Sequence, residues 1–208
     1  QSKEDSDIFN RFQLNGIKFI QTWEGFVYHM TCRGSRFADG ATRNPDGQVF
    51  MKNRETNEWL TQNKKATRNF IRKWGHFVKH DRFLKPIIPH KYDIGFIIKN
   101  CNINILTGLE PWCSNVYVNP DLIKSYVDIE QPNTIMDLYD RIKPYDNEKN
   151  NEILIRIDAE TLDPEDFQML QLLPEVIAES GEIGEFELGN MSIHIININT
   201  YEKQLIKL

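Results

Sequence analysis

Asp93-Ile94-Gly95-Phe96-Ile97-Ile98-Lys99 is the stretch on which the fold turns. Its apolar run between charged ends predicts a strand, and the segments that follow it set the order of elements. Ile103 to Trp112 reads as a short helix stopping before Cys113-Ser114, and Asn115 to Val118 as a second strand. Pro120 to Val127 and Thr134 to Ile142 read as helices separated by Gln131-Pro132-Asn133. Glu152 to Asp158 is an alternating strand through Leu154-Ile155-Arg156-Ile157. Asp163-Pro164-Glu165-Asp166 is a strong helix start, with Asp as cap, Pro at the first position and acids in the first turn. That helix is expected to run to Glu179 before Ser180-Gly181, with Phe167, Leu170, Leu173 and Ile177 buried on a sheet. Gly184 to Leu188 and Met191 to Ile198 close the chain as strands joined by Gly189-Asn190, a hairpin signal. Strand, helix, strand, insertion, strand, helix, strand predicts an α+β fold of ferredoxin-like, split βαβ type over residues 92–208.

Ahead of that unit, Phe83 to His90 carries Pro86 and Pro89 and reads as an extended connector, so a domain boundary is placed between residues 1–82 and 92–208. Glu58 to Trp74 predicts a helix, with Thr61 as a cap and Leu60, Ala66, Phe70 and Trp74 at helical spacing until Gly75. Lys64, Lys65, Arg68, Arg72 and Lys73 fall on its other side and read as a solvated face. No aromatic residues interleave with these charges as a stacking platform would need, so nucleic acid is not an expected partner. Ala38 to Glu58 is rich in turn dipeptides such as Asp39-Gly40 and Asp46-Gly47, and its length is that of a lid or binding segment.

The apolar fraction of 40%, with 12 Phe and 4 Trp among 208 residues, is enough for a packed core. No run approaches a membrane span. Three cysteines, Cys32, Cys101 and Cys113, lack metal-type spacing and are odd in number, which fits buried thiols in a reduced, cytoplasmic setting. Charge is uneven: residues 1 to 99 hold 18 Lys and Arg against 10 Asp and Glu, and residues 100 to 208 hold 7 against 20. The balance is thus +8 in the first part and −13 in the second. A basic first part suits a phosphate-bearing substrate.

That first part opens on Lys3-Glu4-Asp5-Ser6-Asp7, continues through Ile8-Phe9-Asn10-Arg11 to Asn15-Gly16, and reaches Val27-Tyr28-His29 and Cys32-Arg33-Gly34-Ser35-Arg36-Phe37. Acids at a helix start complement the exposed N-H groups there, so Asp5 or Asp7 reads first as an N-cap. Asn15-Gly16 is a helix stop, and Ile17 to Gln21 reads as a short strand.

Glu4, Asp5, Asp7, Arg11, Gly16 and Val27-Tyr28-His29 together resemble the family-2 inverting glycosyltransferases of GT-A fold. The resemblance covers about the first third of the chain. It implies a partial GT-A-like segment and transfer of a sugar from a nucleotide-sugar donor to a hydroxyl acceptor. By resemblance, Asp5 is the general base, Glu4 its neighbour near the acceptor, and His29 a ligand to a divalent metal, Mn2+ or Mg2+, or to the diphosphate. Arg33, Ser35 and Arg36 then bind the diphosphate. Members of the family place a nucleotide-binding half ending in Asp-x-Asp before this motif. Asp5-Ser6-Asp7 precedes a helix and is not read as that site, so the chain is expected to be a C-terminal piece that is inactive alone.

Elsewhere, Asp158 and Glu160 after an apolar strand read as turn-capping acids before they read as metal ligands. His76 reads as a cation near helix C-terminal carbonyls, and His80, His90 and His194 show no partners in the sequence. The rival reading of function is a non-catalytic binding or assembly module acting through the acidic second part, and an unpaired edge strand offers a route to a homodimer.

Overall fold

The computed structural model describes residues 3–20, 22, 24, 25 and 57–207. Helix α1 spans Glu4–Leu14 and helix α2 Asn57–Trp74. Strand β1 (Ile94–Lys99) leads into α3 (Ile103–Leu109), a 3-10 turn (Glu110–Trp112) and strand β2 (Asn115–Val118). Then come α4 (Pro120–Glu130), a 3-10 turn (Gln131–Asn133), α5 (Leu138–Arg141) and β3 (Ile142–Pro144). Strand β4 (Ile153–Asp158), α6 (Pro164–Ser180), the hairpin β5 (Gly184–Leu188) and β6 (Met191–Ile195), and a last 3-10 segment (Glu202–Lys207) complete the order.

The strands form one mixed sheet in the order β3-β2-β1-β4-β6-β5. The first four are parallel, β6 is antiparallel to β4, and β5 is antiparallel to β6. The mixed helix and strand content agrees with the expected α+β class. The strand order differs from the split βαβ layer, in which another strand separates the two parallel ones. Here β1 and β2 are direct neighbours, with Phe96 opposite Val116. The reason lies in burial. Ile94, Phe96, Ile98, Val116, Tyr117 and Val118 are all buried, as in strands covered on both faces, a property of parallel interiors. Alternation of exposed Glu185 and Glu187 with half-buried neighbours is confined to the edge hairpin, where one side meets water.

Local chemistry explains the element ends. Asn102 caps α3 by accepting from the Asn104 and Ile105 N-H groups at 2.9 and 3.0 Å. Asp163 and Asp166 form a reciprocal capping box at the start of α6, as its sequence predicts. Asp166 also reaches the hairpin turn, accepting from Asn190 N at 3.0 Å, and a Cβ on Gly189 (φ +61°) would lie 2.0 Å from its Oδ1. That turn therefore needs glycine for both space and conformation.

Between residues 83 and 144 two expected elements change. The helix from Thr134 shrinks to Leu138–Arg141, because Asp137 caps it late and Ile142 is drawn into the parallel ladder opposite Val116. The connector over residues 83–90 is not simply extended. Asp81 Oδ1 accepts from Phe83 N and Lys85 N, and His80 bridges Pro86. Buried contacts cross this connector, since Ile71 of α2 shares a core with Phe96, Leu106, Ile155 and Leu173.

Candidate functional site

The first turn of α1 carries Glu4, Asp5 and Asp7, with Lys3 at the cap position in a left-handed conformation (φ 100°) and no side-chain cap bond. The acids thus lie inside the helix and complement its dipole, where capping by Asp5 or Asp7 was the expectation. The helix stops where the sequence predicts: Asn15 N donates to Arg11 O at 3.1 Å and Gly16 has φ +71°. Residues 17–20 form no strand.

Asp7 is tied down. Its Oδ1 accepts from Trp74 Nε1 at 2.8 Å and pairs with Lys73 Nζ at 2.7 Å, fixing α1 against the end of α2. Glu4 and Asp5 are exposed. Glu4 lines a cleft of about 630 Å³, within the size range of ligand sites. Residues 62, 65, 66, 69, 70 and 73 form its floor along α2, and α1 and residues 132–136 form its walls. Asp5 is not among the lining residues. His29, Arg33, Ser35 and Arg36 lie outside the described residues, so only the acid end of the expected constellation has described geometry.

Beside this cleft lies a group that the sequence reading missed. Arg68 and Arg72, expected on a solvated face, are buried among Glu110, Glu130, Tyr126 and Arg141. Glu110 is fully buried. It accepts from Arg72 Nη2 at 2.7 Å and Nε at 2.9 Å, from Arg141 Nε at 2.8 Å and from Tyr126 Oη at 3.0 Å. Arg68 Nε donates to Glu130 at 3.0 Å, and Lys91 Nζ reaches the Arg72 carbonyl at 3.0 Å. Burial raises the Glu110 carboxyl, but Arg72 and Arg141 outweigh it and hold it below the usual carboxylate range. For Arg72, burial lowers and Glu110 and Glu130 raise, and the pair wins, so it stays charged. The spacing of Arg68 and Arg72 with Ile71 on one side of α2 was the available signal. Every polar partner is consumed internally, so this cluster joins α2 to the sheet unit and offers no open position.

His76 corrects a second expectation. It is 1% exposed, Nδ1 sits 2.5 Å from Phe77 O, and Nε2 has no hydrogen-bond partner among the described residues. Burial first, then the charges of Lys79 and Lys91, push it down to about 4, so it is neutral rather than a helix-end cation. Its ordinary value is 6.5, so between pH 6.5 and 4 the unfolded chain binds a proton that the folded chain refuses. Stability falls as pH drops through that window, by about 3 kcal/mol at its foot. Melting temperature measured from pH 7 to 4 should fall less steeply in His76→Asn, which keeps a donor for Phe77 O, than in the parent. Parallel acid limbs would rule out a buried neutral imidazole.

Asp158 behaves as a turn acid. Its Oδ1 accepts from Glu160 N at 3.1 Å and Asn100 Nδ2 at 3.0 Å, and these bonds, Asn100 first, hold it below the usual range. Cys113 is buried and Cys101 half-buried, and burial pushes the Cys101 thiol up to about 11, which makes it a poor nucleophile. Among the described residues no three His, Cys, Asp or Glu converge as a metal site, and no helix is long and apolar enough to cross a membrane.

Comparison of the chain with protein-family models, curated proteins and solved structures found no match.

Proposed function

We propose that this chain is the acceptor-side portion of a GT-A-like, family-2 inverting glycosyltransferase, which moves a sugar from a nucleotide-sugar donor to a hydroxyl acceptor. The observation that carries the reading is the acid turn of α1 at the mouth of the cleft, with Glu4 lining it and Asp5 exposed next to it. A carboxylate in water suffices as base for a hydroxyl that loses its proton as the new bond forms. In this reading Asp5 takes that proton and Glu4 accepts a hydrogen bond from the acceptor. Arg33, Ser35 and Arg36 bind the departing diphosphate, and His29 meets the divalent ion, Mn2+ or Mg2+, that the resemblance implies. When bound, that ion would offset charge on the leaving group.

A second reading, a non-catalytic assembly module, is supported by Met169, Leu172 and Val176. These residues are exposed along α6 at helical spacing in the acidic part of the chain. A panel of nucleotide sugars with Mn2+ separates the two in the complete protein, because a ligand that binds only the native state must raise its melting temperature. The transferase reading expects a shift of several degrees with one donor, dependent on the ion. No shift with any donor would favour the assembly module.

A further inference from the structure

The cleft beside the acid turn is a groove, and its free polar groups point to one kind of occupant. Gln62, Lys65, Ala66, Asn69, Phe70 and Lys73 recur every three or four residues, so they form one stripe of α2. At 1.5 Å per residue the stripe is about 16 Å long. Its walls are pinned in place: Asp7 holds Lys73 and Trp74, and Asn69 Nδ2 donates to Asn133 O at 2.8 Å.

These same bonds use up most of the polar lining. Asn69 Oδ1 accepts from Arg72 Nη1 at 2.9 Å, so its amide has no vacant donor-acceptor pair for reading a sugar hydroxyl. Lys73 and Asp7 neutralise each other. Phe70 is 5% exposed and cannot act as a stacking platform. What remains is Ala66, Pro132, the fully exposed Ile135 and Met136 as apolar surface, the exposed amide of Gln62, and the amines of Lys3 and Lys65, none of these polar groups having a side-chain partner among the described residues. Glu4 is the one carboxylate of the lining without such a partner, so the free charges leave the groove net positive.

We infer that this groove binds an elongated amphipathic molecule that carries an acidic group. Its apolar body lies along Ala66, Ile135 and Met136, and its anion sits within reach of Lys65 and Lys3. The inference rests on the proposed transferase reading only in naming that molecule as the acceptor, whose hydroxyl would then lie toward Glu4 and Asp5. Binding by itself requires no catalysis.

The probe is dodecyl phosphate below its micelle concentration, titrated calorimetrically into the full chain beside dodecanol and inorganic phosphate. Saturable one-site binding of dodecyl phosphate is expected, at least tenfold tighter than either single-feature probe. Lys65→Glu should weaken it fivefold or more with an unchanged melting temperature, and Ala66→Trp, which fills the groove, should do the same without a change of charge. Equal binding of dodecanol, or no saturable binding, overturns the inference, and so does an unaltered affinity in both variants. If the probe binds as described while no donor is recognised in the thermal-shift panel, the groove stands and the transferase reading fails. Sugar transfer without probe binding has the opposite meaning.

Discussion

Arg72→Met is expected to destabilise the protein by about 3–5 kcal/mol, enough to lower its melting temperature by about 6–20 degrees for a chain of this size. Methionine has similar bulk, so the loss is electrostatic. Glu110 would keep Arg141, Tyr126 and the longer contact to Arg68 but lose its three Arg72 hydrogen bonds, at 2.7, 2.9 and 3.1 Å, inside a site with no exposure. Glu130 would lose its bond to Arg72 Nη2 at 2.5 Å. A buried carboxylate stripped of its closest cation must take up a proton or draw in water, and either costs several kcal/mol. The pH dependence has a definite sign. Glu110 is held below its ordinary range in the folded state, so its contribution is present at neutral pH and disappears on acidification through that lowered value. In Arg72→Met this contribution shrinks, and the difference in stability from the parent should narrow as pH falls. Denaturant titration at pH 7 and pH 4 measures both quantities. A loss under about 1 kcal/mol at pH 7 would mean that the network is solvated and that α2 is not locked to the sheet by charge.

Asp5→Asn carries the largest expected effect on activity. Under the proposed reading, sugar transfer by the complete protein falls by about 10²–10⁴-fold, the usual contribution of a positioned general base. Asparagine keeps the size and hydrogen-bonding reach of the side chain but cannot accept the acceptor's proton. Because Asp5 is exposed in the first turn of α1, the substitution should barely change stability. The expected pattern is a fall in kcat with KM and melting temperature nearly unaltered. Glu4→Gln should instead raise KM for the acceptor, because Glu4 lines the groove and is assigned no proton. Normal turnover by Asp5→Asn would remove the base assignment and with it the main support for the transferase reading.

The contrast between these two residues follows what a linear sequence can express. Asp5 is noticed because it belongs to a local pattern of acids, helix and glycine stop, all within a dozen or so positions. Arg72 is overlooked because a basic residue on a helix reads the same whether water or carboxylates solvate it. Its partners lie 38 and 58 positions away. The same distance effect contributed at His76, where the nearby rings of Phe70 and Trp74 are joined by Lys91 and Glu175 from distant segments. The groove was equally invisible, since its floor is one stripe of α2 while its walls are α1 and residues 132–136.

The sequence alone determined where several of the helices begin and end. Asn102 and Asp163 supply side-chain oxygens to free N-H groups, while Gly16, Gly75 and Gly181 supply the left-handed conformation that ends a helix. Those preferences act within a few residues and need no tertiary context. Only the tertiary structure decided the strand order, the conversion of Ile142–Pro144 from helix end to strand, and the burial of Arg68, Arg72 and His76. Each of these depends on what desolvation and pairing cost or return across distant segments, and that balance exists only once the sheet has brought them together.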